Sequence, residues 1–551
     1  MAALTRRTLL RTTGAAVAAS TAPTLLTACG SGASSGNVAN KGTKLAPWPT
    51  YIPKTGPAPD LKGDPARGID DAYLTYPAKL TKGTSGKPGD GSTLKVMTIT
   101  YGTPPTPEAK NAYWQAMEKA LGVKIEFTAV PASDFQSKMA TVMAGNDLPD
   151  VLNIGGGFNL PHEADFVMKT MADLSDYVSG DAVKDYPNLA NIPTRSWRSV
   201  GRFHGGIYGV PITRAKPSSV LWINGTDFAK HGYKPDGNLT QDQFTGILRD
   251  LTRGKQYGTG GAQDGSLGYT AHAMCFGIPN GWSLKGGTFT SQFASPHWKD
   301  MLSYLNTLWK TGLYYPDSAS TSMVDLKTMY YNGTVKSYTD GFTALLTTLN
   351  LVHDFAAEPM TLYTPSGITP TPYAGHDKFG YTVINKNLPK AKIKMVLRVL
   401  DHLASPFGTQ EYQLMHYGVE GVDFTFSASG DPTPTKRGQS ENNVNLPFGY
   451  LCDAPQVLYV PGAQQGIKSI HQWQQLTCPT MISDPTNGLR SDTATSTGAT
   501  LTQNMSDTIV GIITGRQKVS TWDAAVHKWK SGGGDRMAHE YASELAANTT
   551  K

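Results

Sequence analysis

Cysteine is scarce in this chain: Cys29, Cys275, Cys452 and Cys478 are the four among 551 residues. That excludes a disulfide-built scaffold, and the fold must rest on its apolar cores. Histidines are scattered, with no HExxH and no clustered His/Cys spacing, so nothing in the sequence calls for a metal centre. No GKS/T phosphate loop is present, so ATP hydrolysis is left to a partner. After the N-terminal segment no stretch approaches the roughly 20 apolar residues of a membrane span. The formal net charge is only +6, and Arg6, Arg7 and Arg11 supply half of it. No Lys/Arg-rich run stands out, which argues against a nucleic-acid partner. No repeat of 20–50 residues is visible, which argues against a solenoid or a repetitive adhesion protein.

What is present begins with an export signal. Thr5-Arg6-Arg7-Thr8-Leu9-Leu10-Arg11 is a twin-arginine pattern, followed by an Ala- and Thr-rich apolar region. Leu26-Thr27-Ala28-Cys29 resembles a lipobox, with cleavage before Cys29 and lipid carried on its thiol. Residues 1–28 read as the signal peptide. Residues 29–92 read as a lipid-anchored tether, flexible over residues 30–40 by its Gly and Ser content. Trp48, Tyr51, Tyr73 and Tyr76 predict that its later part docks on the folded body.

The chain is organised around residues 94–158. Leu94 to Tyr101 has strand character. Thr106, Pro107 and Glu108 predict the start of a helix, carried on by Trp114, Met117 and Leu121 and closed by Gly122. Val123, Ile125 and Phe127 alternate as a second strand. Ser133 and Gln136 form a capping-box pattern ahead of Phe135, Met139, Val142 and Met143. Val151 to Ile154 is a third strand, and Gly155-Gly156-Gly157 follows. This is βαβαβ, whose strands run parallel through helical crossovers. Parallel sheets bind ligands beyond the carboxyl ends of their strands, so the loops after Tyr101 and Ile154 are the first places to look for a site. The glycine run lacks the GxGxxG pattern and fits a ligand-facing turn better than a nucleotide loop.

Tyr113-Trp114-Gln115-Ala116-Met117-Glu118-Lys119, Leu121-Gly122-Val123-Lys124 and Asp147-Leu148-Pro149-Asp150-Val151 resemble the N-terminal lobe of the extracellular solute-binding protein family 1. Motifs around 203–211, 220–224, 338–342, 417–424, 485–489 and 529–535 follow in the family's order, so the resemblance spans about residues 94–545. It implies an α/β, two-lobed periplasmic-binding-protein-like (type II) fold. Each lobe would be a mainly parallel sheet flanked by helices, with hinge-crossing strands between. Lobe 1 would take residues 93–213 and 376–432, and lobe 2 residues 214–375 and 433–551. The implied function is capture of a carbohydrate, with an oligosaccharide the favoured kind, for an ABC importer by hinge closure. The implied partners are membrane permease subunits, with the protein itself a monomer and no cofactor needed.

Sugars need flat aromatic platforms for their C–H faces and planar polar groups for their hydroxyls. The residues meeting that need in cleft loops are Trp282, Phe276 and Asn280 in a glycine-broken loop, Tyr338, Asp340 and Phe342 at a strand end, and Arg214 past the hinge. Glu420 between glycines, Arg490, Gly157 and Trp114 complete the set. Core packing is the competing assignment for each aromatic, and a structural or solvated pair for each charge. Asp236 to Asp242 is too short for a calcium loop and lacks its final Glu, so it reads as a turn and N-cap. In an exported protein one disulfide is allowed, with Cys452–Cys478 the favoured pair and at least one thiol left free. Two other readings remain: an exported polysaccharide hydrolase or lyase, using an acid pair such as Asp340 and Glu420, and a binding protein for another ligand such as a peptide.

Overall fold

The computed structural model describes residues 38–145, 147–155 and 160–549. The targeting segment, Cys29 and Gly157 therefore lie outside the described residues. In chain order the strands are β1 (Thr93–Thr100), β2 (Lys124–Pro131), β3 (Val151–Gly155), β4 (Val210–Thr213), β5 (Ser219–Asn224), β6 (Trp282–Lys285), β7 (Thr288–Ser291), β8 (Ser337–Gly341), β9 (Ala357–Pro359), β10 (Lys378–Ile384), β11 (Phe424–Phe426) and β12 (Pro432–Pro434).

The first lobe is built on a five-stranded sheet ordered β2-β1-β3-β10-β4. β1 runs parallel to β2 in unbroken register from Thr93↔Lys124 to Thr100↔Pro131, and parallel to β3. β10 is antiparallel to both β3 and β4, so the sheet is mixed. Alternation along β1 sends Leu94 and Val96 into one core and Met97 and Ile99 into the core on the other face.

The second lobe holds a three-stranded sheet, β8-β5-β9, in which both pairings are antiparallel. A mainly parallel sheet in each lobe is thus corrected: parallel pairing is confined to the βαβαβ start, where helical crossovers return the chain in the same direction. Along β5, Leu221 and Ile223 face one core and Val220 and Trp222 the other.

Between β1 and the C-terminal helices the described chain passes from lobe to lobe at residues 214–218, before β10 at 373–377, and at 453–457. Leu446, Phe448, Leu451 and Cys452 still pack in the first lobe's core, against Tyr113 and Phe127, whereas Leu458 and Val460 belong to the second. The return expected at residue 433 therefore falls some twenty residues later, because these apolar side chains cover the first sheet.

Two helix starts differ from expectation. The helix after β1 runs Ala112–Leu121, with Asn111 rather than Thr106 as its N-cap, its side chain accepting from the Trp114 N–H. Pro104, Pro105 and Pro107 deny amide donors and bias the residues before them toward extended conformations, so only a short 3-10 turn, Glu108–Lys110, precedes it. Gly122 closes it in the left-handed region, φ 69°. The Ser133–Gln136 box does not form, because the next helix, Ala132–Ala144, starts directly off β2. Thr240 does cap the helix Gln241–Leu251 through a capping box with Gln243, preceded by a turn on Asp236.

Residues 38–92 dock as a strap over both lobes. Ala46 and Ile52 donate to Gly205 O and Ala190 O (2.8 Å each) in the first lobe. Asp70 and Gln474 exchange two hydrogen bonds (3.0 and 2.7 Å), and Ala72 is buried in the second lobe's core. Tyr73 and Leu458 are joined at the third crossing, and Gly83 donates to Glu411 (2.7 Å) back on the first lobe. Cys275, Cys452 and Cys478 are all free and buried, so the Cys452–Cys478 pairing does not form. Cys275 and Cys452 sit in the cores of different lobes. No helix among the described residues is long and apolar enough to cross a membrane.

Candidate functional site

The carboxyl ends of β1 and β3 lie beside the start of the antiparallel strand β10, as the parallel start of the sheet requires. Gly155 and Gly380 face each other across β3 and β10. A Cβ on Gly380 would lie 2.3 Å from Ile154 O and 2.5 Å from Gly155 Cα, so only glycine permits this approach.

Next to that glycine pair stands an aromatic group. Phe379 stacks on Tyr450, centroids 4.5 Å apart and planes at 14°. Tyr101, the first residue after β1, meets both edge-on at 6.3 and 6.0 Å. Tyr101 is 53% exposed, which leaves much of its ring open to a ligand. Arg214, the first residue after β4, lays its guanidinium 4.7 Å from the Phe379 centroid and 5.7 Å from that of Tyr450. Its Nη1 donates to Thr213 O at 3.3 Å.

The second lobe contributes Asp340, at the end of β8. Its carboxylate pairs with Lys327 Nζ at 2.9 Å and accepts from the Gly341 N–H at 2.7 Å. The recess around Tyr101 pushes its phenol above the ordinary value, with Tyr450 and the Asp340 carboxylate adding and Arg214 opposing. Lys327 is held up by Asp340, against the cost of burial.

The other candidates from the sequence divide sharply. Phe276 (3% exposed), Tyr338 (0%) and Phe342 (0%) are core residues, a correction for all three. Phe276 packs near Tyr304, and Phe342 stacks on Trp473 at 5.5 Å. Tyr338 shares a strand face with Asp340 but lies two residues deeper in the sheet, where its ring meets Tyr330. Trp114 packs into the first lobe's core against Phe127 rather than toward a ligand. Asn280 spends its amide donors on Ala374 O (2.8 Å) and Ile482 O (3.0 Å), tying the second crossing to the lobe. Trp282 is half-buried between Trp529 and Tyr541, centroids 5.8 and 5.5 Å away. Beside it, burial pushes the Asp484 carboxyl up to about 6.

Arg490 is also corrected. It donates to Arg202 O (3.1 Å) and Val200 O and caps the face of Phe203 at 3.7 Å. It fastens the second lobe's long helix, Asp492–Ile513, to the first lobe. Nearby, Lys378 is pushed down to about 8 by burial and by Arg490, and donates to Ser199 O. Glu420 is exposed, on a groove of about 450 Å³ between the helices Ala112–Leu121 and Gln410–Tyr417. The fold does not bring it to the ring group, so the Asp340–Glu420 acid pair is not assembled. Of the sequence candidates, Arg214 stands beside the ring group and Asp340 at the end of β8, while Trp282 is a half-buried ring of the second lobe. Tyr101 was marked only as a loop to inspect. Phe379, Tyr450 and Lys327 had no distinguishing signal.

Two lobes, three crossings and a half-open aromatic group between them define a protein that takes up a ligand in a cleft. The chain belongs to the bacterial extracellular solute-binding protein family, whose pattern it matches over residues 103–406. Among characterised relatives, it is 24% identical over 485 residues to the polygalacturonan/rhamnogalacturonan-binding protein YtcQ of Bacillus subtilis, covering 83% of this chain and 92% of that one. It is also 24% identical to lipoprotein LipO of the same organism, over 82% and 91% of the two chains. In structure it is similar to the human-milk-oligosaccharide-binding solute-binding protein of Bifidobacterium longum infantis (TM-score 0.61, 15% identity, 84% of this chain and all of that one), a likeness that establishes the two-lobed periplasmic-binding-protein fold.

Proposed function

We propose that the protein captures an oligosaccharide between its lobes and presents it to the membrane permease of an ABC importer. The carrying observation is the half-exposed Tyr101 ring, backed by Phe379 and Tyr450 and flanked by Arg214, opposite the Lys327–Asp340 pair. An aromatic face takes the C–H face of a pyranose, and Asp340 accepts from its hydroxyls. Family membership and the carbohydrate-binding name of the relative YtcQ support the same reading. Binding closes the lobes about the three crossing segments, a hinge motion that gives the permease a closed form to recognise. The protein acts as a monomer, without a cofactor.

The test is incubation of purified protein with a panel of oligosaccharides, followed by melting curves and product analysis. Stabilisation by at least one sugar without product is expected. Turnover of any glycan instead supports the hydrolase or lyase reading.

The lipobox-like Leu26-Thr27-Ala28-Cys29 supports anchoring on the outer face of the cell membrane, as does the lipoprotein relative. Cys29→Ser is expected to release the protein into the medium, and retention of this variant in the detergent phase counts against the anchor.

A further inference from the structure

We propose that the sugar taken by this cleft is acidic: a uronate-containing oligosaccharide whose carboxylate is received by Arg214. The inference rests on the carbohydrate reading and adds the charge of the ligand.

It follows from a census of the cations around the cleft. Lys327 is paired with Asp340 at 2.9 Å, and Arg195 with Asp377 at 3.1 Å. Arg490 and Lys378 are spent on backbone carbonyls of the first lobe. Arg214 has no carboxylate partner among the described residues; its polar contacts are the neighbouring Thr213 carbonyl and the Tyr450 hydroxyl. A guanidinium carries five donors in a rigid planar fork. Here the guanidinium carbon lies 4.7 Å from the Phe379 centroid and 5.7 Å from that of Tyr450, so the group stands at the ring cluster before a ligand arrives. The guanidinium is half-buried and forms no ion pair among the described residues, which leaves its charge available to an incoming anion. A planar carboxylate matches the fork with two parallel hydrogen bonds, roughly twice as strong as neutral ones.

The arrangement also explains why one sugar unit would carry both contacts. In a uronate the carboxylate projects from the edge of the ring while the C–H face remains apolar. Tyr101 presents an open aromatic face to the latter, and Arg214 stands beside the same ring group. A neutral hydroxymethyl group at that position would leave the guanidinium uncompensated.

The test uses the mature protein and calorimetric titration with oligogalacturonate, oligoglucuronate and oligomannuronate, each beside its methyl ester as a neutral chain of the same shape. At least one free acid is expected to bind ten-fold or more tighter than its ester, with affinity falling as salt rises. Arg214→Gln should abolish that preference without lowering the melting temperature, and Arg214→Lys should keep part of it. Equal affinity for acid and ester, or a preference that survives in Arg214→Gln, overturns the assignment. Binding of neutral sugars alone overturns it too while leaving the carbohydrate reading intact. Failure of every acidic and neutral oligosaccharide to bind removes both.

Discussion

Arg490→Ala is expected to destabilise the protein by about 3–4 kcal/mol while leaving the cleft's ligand contacts in place. Two charge-assisted hydrogen bonds are lost, each contributing about 1.5–3 kcal/mol before relaxation. The Val200 and Arg202 carbonyls lose their donor in a buried setting, and the Phe203 face loses its cation, a contact of about 0.5–2 kcal/mol. The effect is large because one side chain just ahead of a long helix of the second lobe holds two carbonyls and a ring of the single stretch 200–203 in the first. Water and a shifted neighbour will recover some of this, which sets the figure below the simple sum. Urea unfolding beside ligand titration decides it. Unchanged stability with lost affinity would return Arg490 to the role its sequence motif suggested, that of a ligand-binding residue.

Tyr101→Ala has the opposite signature. Its ring is half open, so stability should move by less than about 0.5 kcal/mol, as for most surface changes. Ligand affinity should fall by about 2 kcal/mol, or roughly 30-fold, since a central aromatic anchor carries a disproportionate share of binding energy. Tyr101→Phe should retain most of the affinity, because the stacking face is kept and only the hydroxyl is removed. Titration of both variants against whichever oligosaccharide stabilises the wild type checks this. An unaltered affinity in the alanine variant would mean that the sugar lies elsewhere in the cleft.

The contrast between these two residues shows how the site was legible. The strands β1 to β3 could be read from their alternation, and the rule that ligands gather at carboxyl ends led to the loop holding Tyr101. Arg214 was singled out because it lies past the expected hinge, and Asp340 because it stands at a strand end ahead of Gly341. Trp114 packs on the apolar face that its helical spacing had already marked, whereas Phe276 and Phe342 were misplaced for a common reason. An aromatic beside a glycine turn has the same local pattern whether its ring enters a core or a cleft. Depth along the strand, as between Tyr338 and Asp340, is invisible in a period of two.

By itself, the sequence determined the βαβαβ start, because that depends on local order and on residue type, and its motifs carried the resemblance that implied the two-lobed class. Only the tertiary structure assembled the ring group proposed as the site. Tyr101, Arg214, Phe379 and Tyr450 come from four separate segments, and they meet because β10 enters the first sheet antiparallel between β3 and β4 while residues 446–452 fold back over it. The same long-range packing determined which arginine was left without a partner. Whether a charge is spent or available depends on groups hundreds of residues away in the chain: Arg490 is taken up by the backbone at 200–202, whereas no acid among the described residues pairs with Arg214.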